Sequence, residues 1–240
     1  MIMRVLFAAT LAGFVAGLAM TTIQSLKTTP LILKAEVFES ANIHEHAAGE
    51  NTAEHKRQEA AQATAQVNST PWAPADGIER TAYSFLSGII VTIGFALILI
   101  AVSLLTNISI TPKNGAFWGF IAFAIFTLLP ASGLPPELPA MDAAPLSFRQ
   151  TWWWAAVAAG AAGVALIALR GGVLFSIIGV AIIVAPHIIG APQPESHDTA
   201  IPAYLVQSYV ANSLLSMAVT WVVVGVALGF TMKSQKLVET

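Results

Sequence analysis

The sequence predicts an all-α integral membrane protein, a bundle of five or six transmembrane helices with a polar outer loop. Three observations carry this. Of 240 residues, 56% are hydrophobic and only 10% charged, well outside the composition of ordinary soluble domains. The apolar residues are gathered into long runs, and a spanning helix needs about 20 of them, because each rises about 1.5 Å through a hydrocarbon core about 30 Å thick. The runs are punctuated by Pro, Gly and Asn, which end helices.

Six runs approach the required length: residues 5–23, 83–106, 116–131, 152–169, 173–189 and 209–232. The third and fifth are short, and Arg170-Gly171-Gly172 barely parts the fourth from the fifth. Five crossings, with one run entering without crossing, is the alternative to six. Residues 1–38 then form the first transmembrane helix and an amphipathic segment. Residues 39–80 form a polar, His- and Glu-rich extracytoplasmic loop, and residues 81–240 the transmembrane bundle.

Met1-Ile2-Met3-Arg4 ahead of the first run has the shape of a secretory signal, with Gly17-Leu18-Ala19 a passable cleavage site. Retention is expected, because the run continues past that site and carries Gly13 and Gly17 at helix-packing spacing. The pairs Gly115 with Gly119 and Gly225 with Gly229 repeat the spacing. Pro30 should break the first helix, leaving residues 31–38 on the membrane surface or packed on the bundle. From Glu39 to Ala65 the composition turns to Ala, Glu, Gln and His, a solvated helix or arm. The run 83–106 carries no charge, and a polar turn, Asn107 to Asn114, leads to the next. Trp152-Trp153-Trp154 fits an interfacial belt at headgroup level.

With six spans, Arg4, Lys113, Arg170, Lys233 and Lys236 share one face with a single acid, Glu239. The other face holds the remaining basic residues, twelve of the thirteen acids and all five His. Lys and Arg in short loops stay in the cytoplasm, so the N-terminus is expected inside and the imidazoles and carboxylates outside. Such a collection suits capture of a divalent transition metal, since Co, Ni and Zn accept imidazole with carboxylate while Mg and Ca prefer oxygen. Cys is absent, which removes disulfides and thiolate ligands. The net charge of −2 offers no basic face for nucleic acid. No metalloprotease, serine-hydrolase or phosphate-binding motif is present, so the sequence points to no enzyme, and a transported cation is the ligand expected in place of a resident cofactor.

The candidate metal ligands are His187, Glu137, His44, His46 and His197. His187 follows Pro186 at the mouth of the fifth run, where it is costly unless paired or facing water; the plainer reading is a hydrogen bond to a carbonyl freed by the proline. Glu137 is held in extended backbone by Pro135, Pro136 and Pro139, which presets a carboxylate or merely shapes a loop. His44 and His46 flank Glu45 and share a face only in an extended segment. His197 lies at the end of the second proline-rich stretch, with Glu195 and Asp198. His55 and Glu59 would share a helical face, with a solvated loop the plainer account. The two stretches, 133–139 and 185–198, are read as facing each other.

Residues 7–17, Gly133-Leu134-Pro135-Pro136-Glu137-Leu138-Pro139, Arg149-Gln150 ahead of Trp152-Trp153, and Pro186-His187-Ile188-Ile189-Gly190-Ala191-Pro192 together resemble the CbtA family, predicted cobalt transporter subunits of the bacterial inner membrane. The resemblance covers nearly the whole chain. It implies uptake of divalent cobalt, or nickel, linked to cobalamin synthesis, and a partner similar to CbtB, a small single-span subunit with a His-rich tail. It also implies about five spans. The alternative is a non-transporting structural or assembly subunit of a membrane complex.

Overall fold

The computed structural model describes residues 2–38, 74–75, 77–196 and 199–237, with side chains through Lys233. His44, His46, His55, Glu59 and His197 lie outside the described residues. Each apolar run lies within a helix: α1 (Ile2–Lys27), α3 (Ile78–Thr106), α4 (Gly115–Ala131), α5 (Leu146–Arg170), α6 (Val173–Ile189) and α7 (Ala203–Leu237). Residues 29–38 form a further helix, α2. No strand occurs among the described residues. By length and composition, α1, α3, α5 and residues Ala203–Lys233 of α7 can each cross a membrane, while α4 and α6 are shorter apolar helices. The all-helical architecture expected from composition is what the described residues adopt, with four helices long and apolar enough to cross a membrane.

Local chemistry ends each helix. The chain turns at Thr28, whose N–H and hydroxyl both donate to the Gln24 carbonyl, and Pro30, lacking an N–H, sits in the first turn of α2 where none is required. Asn107 closes α3 in the left-handed conformation (φ 56°). In α4, Pro130 brings no N–H to the carbonyl four residues back, and the ladder widens to a π-turn over Ala124–Leu128, with Leu129 N–H on the Ala124 carbonyl. The α5–α6 turn needs positive φ twice, at Gly171 (63°) and Gly172 (85°), conformations glycine alone adopts at little cost.

All three glycine pairs read from the sequence are contact points. A Cβ on Gly13 or Gly17 would fall on the α3 backbone at Ile93 or Ile89, and one on Gly115 or Gly119 on the α7 backbone at Gly225 or Trp221. Gly229 meets Thr111 in the same way. Lipid offers no hydrophobic drive between helices, so this close approach is what brings backbones into dispersion contact. The partners run in opposite numerical order, so α1 is antiparallel to α3, and α4 to α7. Gly163 against Gly179 and Ile183 makes α5 and α6 an antiparallel hairpin, and Gly160 meets Leu129 of α4. Trp221, fully buried, stacks on Phe95 at 4.2 Å and on Phe126 at 5.5 Å, tying α7 to α3 and α4.

Antiparallel neighbours sort the helix ends. Arg4, Lys113, Arg170 and Lys233 lie at one end of the bundle. Glu36, Arg80, Glu137, Arg149 and His187 lie at the other. There α2 packs on the bundle, with buried Ala35 against Leu138, Ile201 and Leu205.

Candidate functional site

The site forms where α4 and α6 stop short and their proline-rich loops meet. Residues 135–138 are non-helical, as Pro135, Pro136 and Pro139 require, and in extended backbone successive side chains point to opposite sides. Leu138 is buried against α2 and the start of α7. Glu137 accordingly points away from that cluster, and its Oε2 meets Nη2 of Arg149, in the first turn of α5, at 2.8 Å. The pair is about one-quarter to one-third exposed. A bridge this short, partly shielded, is a charge-assisted hydrogen bond as well as an ion pair.

His187 lies in the last turn of α6, and its Nδ1 is 3.4 Å from Ser132 Oγ. The Ser132 hydroxyl has one proton, and it donates that to the Leu129 carbonyl at 2.6 Å. With that proton engaged, the oxygen is free to accept toward His187, which fits the tautomer that carries its proton on Nδ1 and its lone pair on Nε2. Nε2 is buried with no hydrogen-bond partner among the described residues. A hydrogen bond from one ring nitrogen to a neighbouring oxygen and a free lone pair at the other is the arrangement in which imidazole ligates metals.

Trp152 completes the cluster. Its Nε1–H donates to the Pro186 carbonyl at 3.3 Å, and the six-membered ring of its indole lies against Gly133, where a Cβ would collide with it. The interfacial belt expected of residues 152–154 is thus divided. Trp154 is 63% exposed while Trp152 is 8% exposed, because three successive residues at about 100° per step cannot share one helical face. Trp152 was the site residue the sequence reading placed elsewhere. The signal in the sequence is its place in the motif Arg149-Gln150 ahead of Trp152-Trp153.

The two proline-rich stretches do face each other. Gly133, Pro135, Glu137 and Asp142 share a pocket of about 130 Å³ with Pro192, Pro194, Ser196 and Thr199. On its other side Glu137 opens onto a cleft of about 560 Å³, bordered by Arg149, Gln150, Trp153, Ser213 and Met217. Ser213 lies ten positions inside α7, about 15 Å along it. Among the described residues no three His, Asp or Glu side chains come together. His187 touches Ser132, and Glu137 shares the small pocket with Gly133, while His44, His46 and His197 are outside the described residues.

Every segment that resembles CbtA beyond α1 is therefore part of one cluster at one end of the bundle. The family model described as probable cobalt transporter subunit (CbtA) matches residues 2–233. The chain belongs to the CbtA family. Comparison with curated proteins and with solved structures gave no match. The family description gives a cobalt transporter subunit as the role, and the four helices long and apolar enough to cross a membrane fit a multi-pass membrane protein.

Proposed function

We propose that this CbtA protein takes up divalent cobalt, with nickel the nearest competitor, across a bacterial inner membrane. In this reading α4 and α6 also cross, making six spans, and the end bearing Arg4, Lys113, Arg170 and Lys233 is cytoplasmic. His44, His46 and His197 of the outer segments collect the ion from dilute solution. Glu137 and His187 then hold it at the mouth of the bundle.

The observation that carries the reading is the buried, unpartnered Nε2 of His187. A lone pair withdrawn from water and given nothing costs stability, and a cation is the partner that repays it most. Glu137 can serve beside it even while paired, since a carboxylate has about four acceptor sites and the bridge to Arg149 engages Oε2, leaving Oε1. Further ligands come from water and loop oxygens. No nucleotide-binding motif is present, and a doubly charged ion moving inward gains about 4.6 kcal/mol per 100 mV of inside-negative potential. A CbtB-like, single-span, His-rich subunit is the partner that would deliver the ion.

Uptake of radioactive cobalt and nickel tests this. His187→Ala and Glu137→Gln are expected to abolish uptake, and His44→Ala/His46→Ala only to raise the concentration required; normal uptake in both single variants would remove the site. The Glu137–Arg149 bridge favours one other reading, a structural or assembly subunit whose loop charges only hold loops together. In that case cobalt would leave the melting temperature of the purified protein unchanged, whereas binding at about 100 times Kd raises stability by about 2.7 kcal/mol.

A further inference from the structure

Beside the Glu137 cleft lies a larger polar one, about 770 Å³, between α1, α2, α3 and α7. Nine of its sixteen lining residues carry a hydroxyl or an amide, Gln24, Thr28, Thr81, Ser84 and Ser213 among them, with apolar carbon making up much of the remaining wall. The charged residues lining it, Glu36 and Arg80, form a salt bridge at 3.5 Å and offset each other. The two clefts adjoin, because Pro136, Ser213 and Met217 border both.

From Ser213 the polar line continues into the bundle. Tyr209, Ser213, Ser216 and Thr220 follow one another at four, three and four residues, so they lie on one flank of α7. Tyr209 and Ser213 border the larger cleft. Ser216 and Thr220 are buried, at 1% and 0% exposure.

The buried hydroxyls of this bundle are otherwise tied down. Thr92 donates to the Gly13 or Gly88 carbonyl, Ser103 to Ile108, Thr28 to Gln24, Thr220 to Ser216, and Thr21 reaches Ser84. Ser216 Oγ has no partner among the described residues, although a helical serine ordinarily reaches the carbonyl four residues back. An unsatisfied hydroxyl inside an apolar bundle is destabilising, and polar groups at that depth are tolerated where they line a path.

We infer that this flank of α7 is the inward continuation of the cation route, with Ser216 the first station inside the bundle. The inference rests on the transport reading above. A small hydrated cation leaves the Glu137 cleft past Ser213 and exchanges a water for the Ser216 hydroxyl oxygen. Neutral oxygen donors suit this step, since they replace hydration without holding the ion too tightly to release it. The same chemistry fits the cobalt cargo or an alkali cation travelling with it.

The chain has no Cys, so single thiols report cleanly. In cells expressing the full chain, Ser213→Cys and Ser216→Cys should react with a small, membrane-impermeant cationic methanethiosulfonate added outside, and Ser103→Cys, at the opposite end, should not. A cation present at about ten times its Kd slows labelling about tenfold, because only the empty fraction reacts. Protection by Co²⁺ identifies the cargo, and protection by Na⁺ alone identifies a co-transported ion. Failure of Ser216→Cys to react, or reaction indifferent to both ions, overturns the route. Labelling is read without uptake, so failure of the route and failure of cobalt transport are distinguishable. In parallel, Ser216→Ala should melt no lower than wild type while cobalt uptake falls about tenfold, which corresponds to about 1.4 kcal/mol; a lower melting temperature with normal uptake would show the hydroxyl to be structural and sink the proposal.

Discussion

Trp152 and His187 meet edge to face, with ring centroids 5.5 Å apart and planes at 69°, while the Trp152 Nε1–H holds the carbonyl of the residue before His187. One side chain of α5 thus fixes both the end of α6 and the plane of its imidazole. Trp152→Phe keeps most of the ring and loses the donor. It should lower unfolding free energy by about 0.5–1.5 kcal/mol, against about 3–5 kcal/mol for Trp152→Ala, as read by thermal unfolding in detergent.

Ser132 gives its only proton to Leu129 and offers His187 an acceptor, which favours the Nδ1–H tautomer. Ser132→Ala should weaken cobalt binding at His187 by about tenfold, the lower end of the effect of losing an outer-shell partner, with Ser132→Thr close to wild type. The cobalt concentration that half-saturates the rise in melting temperature measures it. Equal values for Ser132→Ala and wild type would contradict the assignment.

Glu137 and Arg149 form one unit at 2.8 Å. Each single neutralisation leaves a partly shielded charge without its partner, so Glu137→Gln and Arg149→Gln should each destabilise, and the double variant should destabilise by less than the sum of the two. A coupling energy of about 0.5–3 kcal/mol is expected. Strict additivity would mean that the bridge contributes nothing.

Gly119 and Gly94 are both helical but differ in surroundings. A Cβ at Gly119 would meet the Trp221 and Val222 backbone, whereas one at Gly94 meets nothing within 4 Å. Gly119→Ala must push α4 from α7, at about 1–3 kcal/mol. Gly94→Ala should be neutral or stabilising by up to about 1 kcal/mol. Chemical denaturation of the two variants should show opposite signs.

The sidedness proposed for the bundle is open to direct labelling. Thiols placed by Ser132→Cys or Ser196→Cys should react with impermeant reagent from outside the cell, and one placed by Lys236→Cys only after the membrane is opened. The reverse pattern would invert the molecule and put His187 on the cytoplasmic side.

Much of this protein is written locally. Whether a stretch is apolar for about 20 residues is decided within the stretch, and so every run read as a span became a helix. Glycine spacing worked for the same reason, since Gly13 and Gly17 form a smooth face whatever lies opposite. The extended backbone at Glu137 followed from its neighbouring prolines, and the break after α1 from Pro30, because each acts on bonds next to it.

The partners of those features depended on assembly. Nothing near Glu137 in sequence announces Arg149 as its counter-ion, nothing near His187 points to Ser132, fifty-five positions earlier, and the three tryptophans look alike until one is pressed against Gly133. Length, composition and turn chemistry by themselves determined a set of long apolar helices, and with them the expectation that imidazoles and carboxylates gather toward one end. Only the antiparallel packing of α4, α5 and α6 decided that Ser132 and Trp152 meet His187 and that Arg149 meets Glu137, because hydrogen bonds and ion pairs act over a few ångströms of space and are blind to distance along the chain.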